Sequence, residues 1–380
     1  MRNSSNPFKY GGVVGETAFC NRTQELQDLS RAMENGDRLF LYSERRLGKT
    51  SLVKLALSRL PKKDFLWAYV DLWPTDSEAS FATSIAKAIT ESLASSADKM
   101  LSVAKGFFGG MAPTITADST GSPQVTFQLG GNAGNSPDLQ EVLKAPAEIA
   151  KSRKRKVVLV LDEFQRILEY ESDQAERTLR SAIQEQENVS YIFLGSRKNL
   201  IQKMFLDQSR PLYRSGGHYP LGPIELDAWE PFIQGRFDET NKSISAGVIK
   251  ELYEATGGHP FYTQHLCHAV WELCEPGDKA VSETIASAIE LLLERESYAY
   301  TSLWESFAVN QRRFLSGLVR AQGHVEVFGS AFIRENNLKT ASSAQRVVEN
   351  LLERDVIDRE GGTFFISDRF FHLWVKGKVG

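Results

Sequence analysis

The residues of this chain best suited to chemistry lie in a short loop, residues 43–50, which ends in Gly48, Lys49 and Thr50. A loop that leads into a helix in this way turns backbone N–H groups toward an anion. The lysine ammonium can reach the terminal phosphates of a nucleotide, and the threonine hydroxyl can hold Mg²⁺. The motif usually begins with glycine, and here Ser43 takes that place. The residues expected to surround the phosphates are Glu44, Arg45, Arg46, Leu47, Gly48, Lys49, Thr50 and Ser51.

A second candidate site is the carboxylate pair Asp162 and Glu163, which ends the apolar run of residues 157–161. A strand that is apolar at every position is typical of a parallel sheet buried on both faces. Such sheets bind ligands at the carboxyl ends of their strands. We therefore expect Asp162 to share the Mg²⁺ with Thr50, and Glu163 to orient or deprotonate the attacking water. The alternative is a buried strand that ends in an acidic turn without catalytic function.

The elements that must position these residues alternate between strands and helices. Strands are predicted at residues 38–42, 65–72, 157–161 and 189–197, and helices at about 51–56, 81–93, 139–151 and 175–187. This alternation predicts an α/β fold with a parallel sheet.

Residues 95–137 interrupt the α/β alternation. Alternating polar and apolar residues at 114–116 and 125–129, separated by a turn at 119–123, predict a β-hairpin. The glycine-rich stretch at 130–135 predicts a linker. We expect an insertion that projects from the core, either as a plain surface hairpin or as an element that docks a partner.

The rest of the chain is predicted to be mainly helical and to end in a winged helix. Three helices at about 310–320, 331–337 and 342–354, followed by a hairpin over 356–366, are typical of that motif. The expected organisation is a flexible N-terminal lead (1–18), an α/β core (19–225), a helical lid (226–300) and a winged-helix domain (301–380).

The composition of the chain bears on which partners it could bind and in which compartment it is expected. The formal net charge of −3 provides no overall positive field for nucleic acid or a membrane surface. No apolar run approaches the roughly 18 residues of a membrane span, and the start lacks the apolar core of a signal peptide. With three cysteines, the cytoplasm is the expected location. His265, Cys267, His268 and Cys274 raise the question of zinc, but without a second C-x-x-C pair buried structural residues are expected.

Taken together, the motifs resemble the archaeal-type AAA+ ATPases, a family related to the STAND P-loop ATPases. The similarity rests on motifs in the family's order and covers nearly the whole chain. The motifs are Phe19, Arg22, Glu25 and Leu26 before the first strand, residues 43–52 with Ser43 as the departure, residues 161–165, residues 212–214 and residues 256–260.

The resemblance implies ATP and Mg²⁺ as ligands and adds candidate site residues. Ser196, with Arg197 as the alternative, would sense the γ-phosphate. Arg214 would stabilise γ-phosphate charge in its own chain or a neighbouring one, or would be an ordinary solvated arginine. His259 and Pro260 would contact adenine or phosphate, or would simply form a turn between helices. Arg22 is a candidate for contact near the base.

Two functions remain open at this point. In the first, slow Mg²⁺-dependent ATP hydrolysis acts as a conformational switch that controls a protein partner or self-association. In the second, a nucleotide-stabilised protein binds DNA through its winged helix and hydrolysis is incidental. The predicted recognition helix carries Arg346 and Arg354 but also Glu349 and Glu353. Since DNA binding needs a clear excess of cations, the charge pattern favours the first function.

Overall fold

The structure, a computed structural model, describes residues 5–127, 138–321 and 325–379. The chain divides into two compact units. The core unit is Arg22–Gly222, and the C-terminal unit combines Met1–Asn21 with Pro223–Gly380. The expected loop, carboxylates and sensor therefore belong to the core unit, whereas His259 and Pro260 belong to the C-terminal unit.

The core unit is built from alternating helices and strands. Its helices are α1 (Thr23–Asn35), α2 (Lys49–Arg59), α3 (Glu78–Leu93), α4 (Ala97–Phe108), α5 (Leu139–Arg153), α6 (Gln174–Glu185) and α7 (Lys198–Leu206). Its strands are β1 (Arg38–Tyr42), β2 (Phe65–Asp71), β3 (Pro113–Ala117), β4 (Pro123–Phe127), β5 (Lys156–Asp162), β6 (Val189–Gly195) and β7 (Gly217–Pro220).

Five of these strands form a parallel sheet in the order β2-β5-β6-β1-β7. Every residue of β6, and every residue of β5 after Lys156, is buried, which explains their continuous apolar sequence. The predicted α/β fold with a parallel sheet is confirmed. Because parallel strands end at the same edge, the loop after β1, the carboxylates of β5 and Ser196 after β6 follow neighbouring strands.

The insertion after α3 differs from the expected projecting hairpin. Strands β3 and β4 do form an antiparallel hairpin, with Ile115 opposite Val125. However, Ala104 and Phe108 of α4 and Val125 and Phe127 of β4 are buried in the same hydrophobic cluster as the sheet. The apolar face of α4 requires this packing, so the described part of the insertion lies against the core. Residues 128–137, which include the predicted linker, lie outside the described residues.

The C-terminal unit contains the predicted lid and winged-helix elements. Its helices are α8 (Leu226–Asp238), α9 (Ala246–Thr256), α10 (Pro260–Leu273), α11 (Ser282–Glu305), α12 (Val309–Arg320), α13 (Ser330–Glu335), α14 (Ala341–Glu353) and α15 (Arg369–Val379). Its strands are β8 (Ser243–Ile244), β9 (Lys279–Ala280), β10 (Ile357–Glu360) and β11 (Thr363–Ile366). Helix α11 continues across the expected lid boundary at residue 300, and one hydrophobic cluster joins the elements on both sides.

The described part of the N-terminal segment is packed, which corrects the expectation of a flexible lead. Phe8 is 1% exposed, and its ring centroid lies 5.6 Å from that of Phe237. The Asn6 side chain donates a hydrogen bond to the His268 carbonyl at 3.1 Å. The aromatic ring of Tyr10 stacks on His265 at 3.9 Å. The ring of Phe8 and the hydrogen bond of Asn6 thus attach this segment to α8 and α10.

No helix within residues 5–127, 138–321 and 325–379 combines the length and hydrophobicity needed to cross a bilayer. Over the same ranges, no group of three histidine, cysteine or acidic side chains is arranged to hold a metal ion. Cys20, Cys267 and Cys274 are buried in the C-terminal unit as reduced cysteines.

Candidate nucleotide site

The loop between β1 and α2 has a backbone suited to an anion despite its serine. Its left-handed residues are Arg46, with φ of 61°, and Gly48, with φ of 89°. Ser43 is not among the positive-φ residues, so the first position of the loop requires no glycine. Gly48 leads directly into α2, whose first turn has N–H groups without helical partners.

Lys49 is held inside this loop. Its side chain is 6% exposed, and Nζ donates to Ser43 Oγ and to the Glu44 carbonyl, both at 2.9 Å. Burial lowers the pKa of Lys49 to about 8, although the nearby carboxylates of Glu163 and Asp162 act in the opposite direction. The loop therefore holds a cation that is largely removed from water, where its attraction for a phosphate is stronger than at the surface.

Asp162 joins the loop to the sheet. Thr50 Oγ1 donates to Asp162 Oδ2 at 3.1 Å, and the Tyr69 hydroxyl donates to the same oxygen. The backbone N–H of Glu163 donates to Asp162 Oδ1 at 2.8 Å. Burial and the adjacent Asp162 raise the pKa of Tyr69 well above its usual range, so the phenol remains a donor. The structure thus brings Thr50 and Asp162 together as the sequence predicted, and it adds Tyr69.

Glu163 and Ser196 meet at the ends of the adjacent strands β5 and β6. Ser196 Oγ donates to Glu163 Oε2 at 2.8 Å. The Gln165 amide donates to the same carboxylate oxygen and to Ser196 Oγ at 3.3 Å. Gln165 is 2% exposed, whereas Glu163 and Ser196 are half-buried, so the network joins the interior to the surface of the site. The sequence places Gln165 in a motif without indicating its function, because only the fold brings its amide to Glu163.

Comparison with known families shows to which family the chain belongs. A family model described as "ATPase domain predominantly from Archaea" matches residues 19–266. The chain belongs to this ATPase family. A model described as "probable winged helix domain" matches residues 298–377. This protein is therefore an ATP hydrolase with a winged-helix domain, as the resemblance implied.

Solved structures support the fold of the ATPase. A Walker-type ATPase of Pyrococcus abyssi has 17% sequence identity and a TM-score of 0.64, over 95% of this chain and 97% of that chain. The ORC2 protein of Aeropyrum pernix, with ADPNP and ADP, has 13% identity and a TM-score of 0.56, over 98% and 99% of the two chains. At these identities the similarity concerns the fold alone. No curated protein matches the chain.

Arg22 of the ATPase forms hydrogen bonds with the backbone of the loop between β1 and α2 and with the end of the core unit. It is 5% exposed, and its Nη2 donates to the Gly222 carbonyl at 2.7 Å and to the Leu47 carbonyl at 3.4 Å. Its Nη1 lies 2.9 Å from Glu25 Oε1. The described contacts of Arg22 are therefore with protein groups, and contact near the base remains a prediction.

Other arginines of the expected site are at the surface. Arg45 and Arg46 are exposed. Arg214 is also exposed, with φ of 51°, and its guanidinium lies 5.2 Å from the Tyr213 ring. Within the described residues Arg214 forms no ion pair, which leaves its predicted action on phosphate charge open.

His259 and Pro260 form a tightly packed turn of the C-terminal unit. Pro260 is the first residue of α10, and His259 is 3% exposed. Gly258, with φ of 65°, has no space for a side chain, since a Cβ there would lie 2.4 Å from the Ile224 carbonyl oxygen. The Trp229 indole N–H donates to the Gly258 carbonyl at 3.1 Å. These contacts explain the motif structurally, and its contact with nucleotide remains a prediction.

Proposed function

We propose that this ATPase uses Mg²⁺-dependent ATP binding and slow hydrolysis as a conformational switch that controls partner binding or assembly. The observation that carries the proposal is the convergence of Lys49, Thr50, Asp162, Glu163 and Ser196 at one edge of the sheet. Phosphate binding, metal binding and proton removal from water are the tasks that ATP hydrolysis requires. The five side chains have the chemistry for these tasks.

The donor set of the site fits a magnesium nucleotide. Thr50 and Asp162 offer hydroxyl and carboxylate oxygens, which Mg²⁺ prefers, and they lie in hydrogen-bond contact. When bound, the ion neutralises charge on the phosphates. We assign Thr50 and Asp162 to the ion, and Lys49 with the loop N–H groups to the β- and γ-phosphates. Tyr69 would fix the orientation of the Asp162 carboxylate.

Glu163 is assigned to orient the attacking water and accept its proton. Its Oε2 already accepts hydrogen bonds from Ser196 and Gln165, so the carboxylate would have to exchange one of these partners for the attacking water. A base restrained in this way supports slow turnover. Ser196 is assigned as the γ-phosphate sensor, because a hydroxyl that turns toward phosphate would release Glu163. Arg214 is the candidate for further stabilisation of γ-phosphate charge, in its own chain or in a neighbouring one.

The winged helix favours a protein partner or a second copy of the chain over DNA. Helix α14 exposes Arg346 together with Glu349 and Glu353. Because DNA affinity depends on a surplus of cations facing phosphates, this balance gives the alternative of DNA binding through the winged helix little support. We therefore assign the winged-helix domain to regulation or protein contact.

Hydrogen exchange of the full chain tests the switch. Glu163→Gln with ATP would represent the state before hydrolysis, and the unchanged chain with ADP would represent the state after it. We expect amide protection in the C-terminal unit to differ between the two states, since a switch requires different conformations for the two nucleotides. Lys49→Ala with ATP serves as the control without bound nucleotide. Identical exchange of the C-terminal unit in both states, with ATP binding retained, would rule out the switch but not the ATPase.

A further inference from the structure

Two basic turns lie side by side at the edge of the sheet opposite the nucleotide site. The first, residues 59–64, precedes β2, and the second, residues 151–156, leads into β5. Strands β2 and β5 are paired with Phe65 opposite Lys156, and the Lys156 N–H donates to the Asp64 carbonyl at 2.9 Å. Turns far apart in sequence thus form one surface, which we call the basic edge.

The basic edge has a strong excess of positive charge. The two turns together contain eight cationic residues and one carboxylate, that of Asp64. The whole chain, by contrast, has a formal net charge of −3. The cationic residues are Arg59, Lys62, Lys63, Lys151, Arg153, Lys154, Arg155 and Lys156. Exposed Glu187 and Asp37 precede the next strands, β6 and β1, so the positive surface is confined to the β2–β5 side.

Most of these cations are not neutralised by the protein. Lys63 lies 4.0 Å from Asp64 Oδ2, and both side chains are largely exposed. In the described part of the chain, Lys62, Lys151, Arg153, Lys154 and Arg155 form no ion pair. Helix dipoles account for cations in the last turns of α2 and α5, but this effect fades beyond the last turn. The lysines and arginine beyond the helix ends need another explanation.

Lys154 gives an independent indication, because a cationic residue occupies a position where its backbone conformation is strained. It ends α5 in the left-handed region, with φ of 51°, a position that glycine or asparagine occupies with less strain. The two turns also expose no large apolar residue, since Leu60 is 6% exposed and Phe65, which follows, is 8% exposed. Protein interfaces usually centre on apolar or aromatic anchors, whereas phosphate contacts need only exposed cations.

We propose that the basic edge binds the phosphate backbone of duplex nucleic acid without reading sequence. Strand β5 begins at this edge with Lys156 and ends at Asp162, so about 20 Å of strand separates the two sites. Nucleic acid and nucleotide therefore bind to the core unit at the same time. The basic edge lies in a different unit from the winged helix and does not depend on the proposed switch.

Binding of a short fluorescent DNA duplex by the full chain, measured over a series of salt concentrations, tests the proposal. The variant Arg153→Gln/Lys154→Asn/Arg155→Gln removes three cations, with asparagine chosen for the left-handed position. Each lost phosphate contact lowers the slope of log affinity against log salt by about 0.9, so the slope should fall by roughly 2 to 3. ATP turnover without DNA should stay unchanged. A second variant, Lys62→Gln/Lys63→Gln, should lower the slope by up to about 2, and it covers the case in which the first variant fails to fold.

The matched control removes three exposed cations from the winged helix, as Arg334→Gln/Lys339→Gln/Arg346→Gln. We expect this control to retain the DNA affinity and salt slope of the unchanged chain. Absence of DNA binding at low salt would overturn the proposal. So would an equal loss in the control, or binding to anionic phosphatidylserine vesicles in place of DNA.

Discussion

The two units each bury a lysine, and the surroundings of the two lysines show why only one of them is assigned to a site. Lys49 and Lys242 are both 6% exposed. In the C-terminal unit, Lys242 Nζ donates to the Trp271 carbonyl at 2.7 Å and lies 3.4 Å from the centroid of the Trp271 ring. In the core unit, Lys49 is the first residue of α2, and its Nζ donates to the Glu44 carbonyl of the preceding loop, with the carboxylates of Asp162 and Glu163 nearby. Burial alone is therefore not evidence for a site, whereas burial beside anion donors and carboxylates is.

The largest expected effect comes from removing Lys49, the lysine that we assign to phosphate binding. Lys49→Ala should weaken ATP binding by roughly a hundredfold or more, because truncating one partner of a buried charge contact costs about 2–5 kcal/mol. Titration with a fluorescent ATP analogue measures the change. Lys242→Met is the matched control, since it removes a lysine of equal burial from the other unit. Unchanged ATP affinity in a folded Lys49→Ala protein would contradict the assignment of the loop to phosphate binding.

The pH dependence of ATP binding sharpens the same comparison. The pKa of Lys49 is lowered to about 8, so the ammonium loses its proton as pH rises through that value. Affinity should then fall roughly tenfold between pH 7 and pH 9, since only the protonated fraction binds phosphate well. In Lys49→Ala the residual affinity should lack this step. A flat profile in the unchanged chain would mean that Lys49 keeps its proton throughout this range.

A smaller effect is expected from the structural lysine. Lys242→Met removes a hydrogen bond and a contact with an aromatic face, which together contribute about 1–3 kcal/mol. Hydrogen exchange within α10 should show the loss of stability, while ATP affinity stays within about twofold. Loss of ATP binding comparable to that of Lys49→Ala would break the distinction between the two lysines.

The nucleotide site could be predicted where its residues are close in sequence. The loop ending in Lys49 and Thr50, and the pair Asp162 and Glu163, are local patterns with a direct chemical meaning. Their position on neighbouring strands followed from the general behaviour of parallel sheets. The order of the family motifs then led to the ATPase family.

What the sequence did not reveal depends on contacts between distant residues. Tyr69 looks like an ordinary residue of a buried strand, and only the pairing of β2 with β5 brings its hydroxyl to Asp162. The packing of α4 and Phe8 was missed because glycine-rich or terminal segments resemble linkers in sequence. The predicted separation of lid and winged helix overlooked α11, which crosses the boundary and contributes to one shared hydrophobic cluster.

The central claim is that the edge formed by the loop, Asp162, Glu163 and Ser196 hydrolyses ATP with Glu163 as the base. Phosphate release by Glu163→Gln, measured beside ATP affinity, tests it most directly, with the exposed Glu171→Gln as the matched control. We expect turnover to fall by roughly a hundredfold to ten-thousandfold, with ATP affinity nearly unchanged and the control fully active. Turnover equal to that of the unchanged chain would contradict the claim and assign the base to another residue.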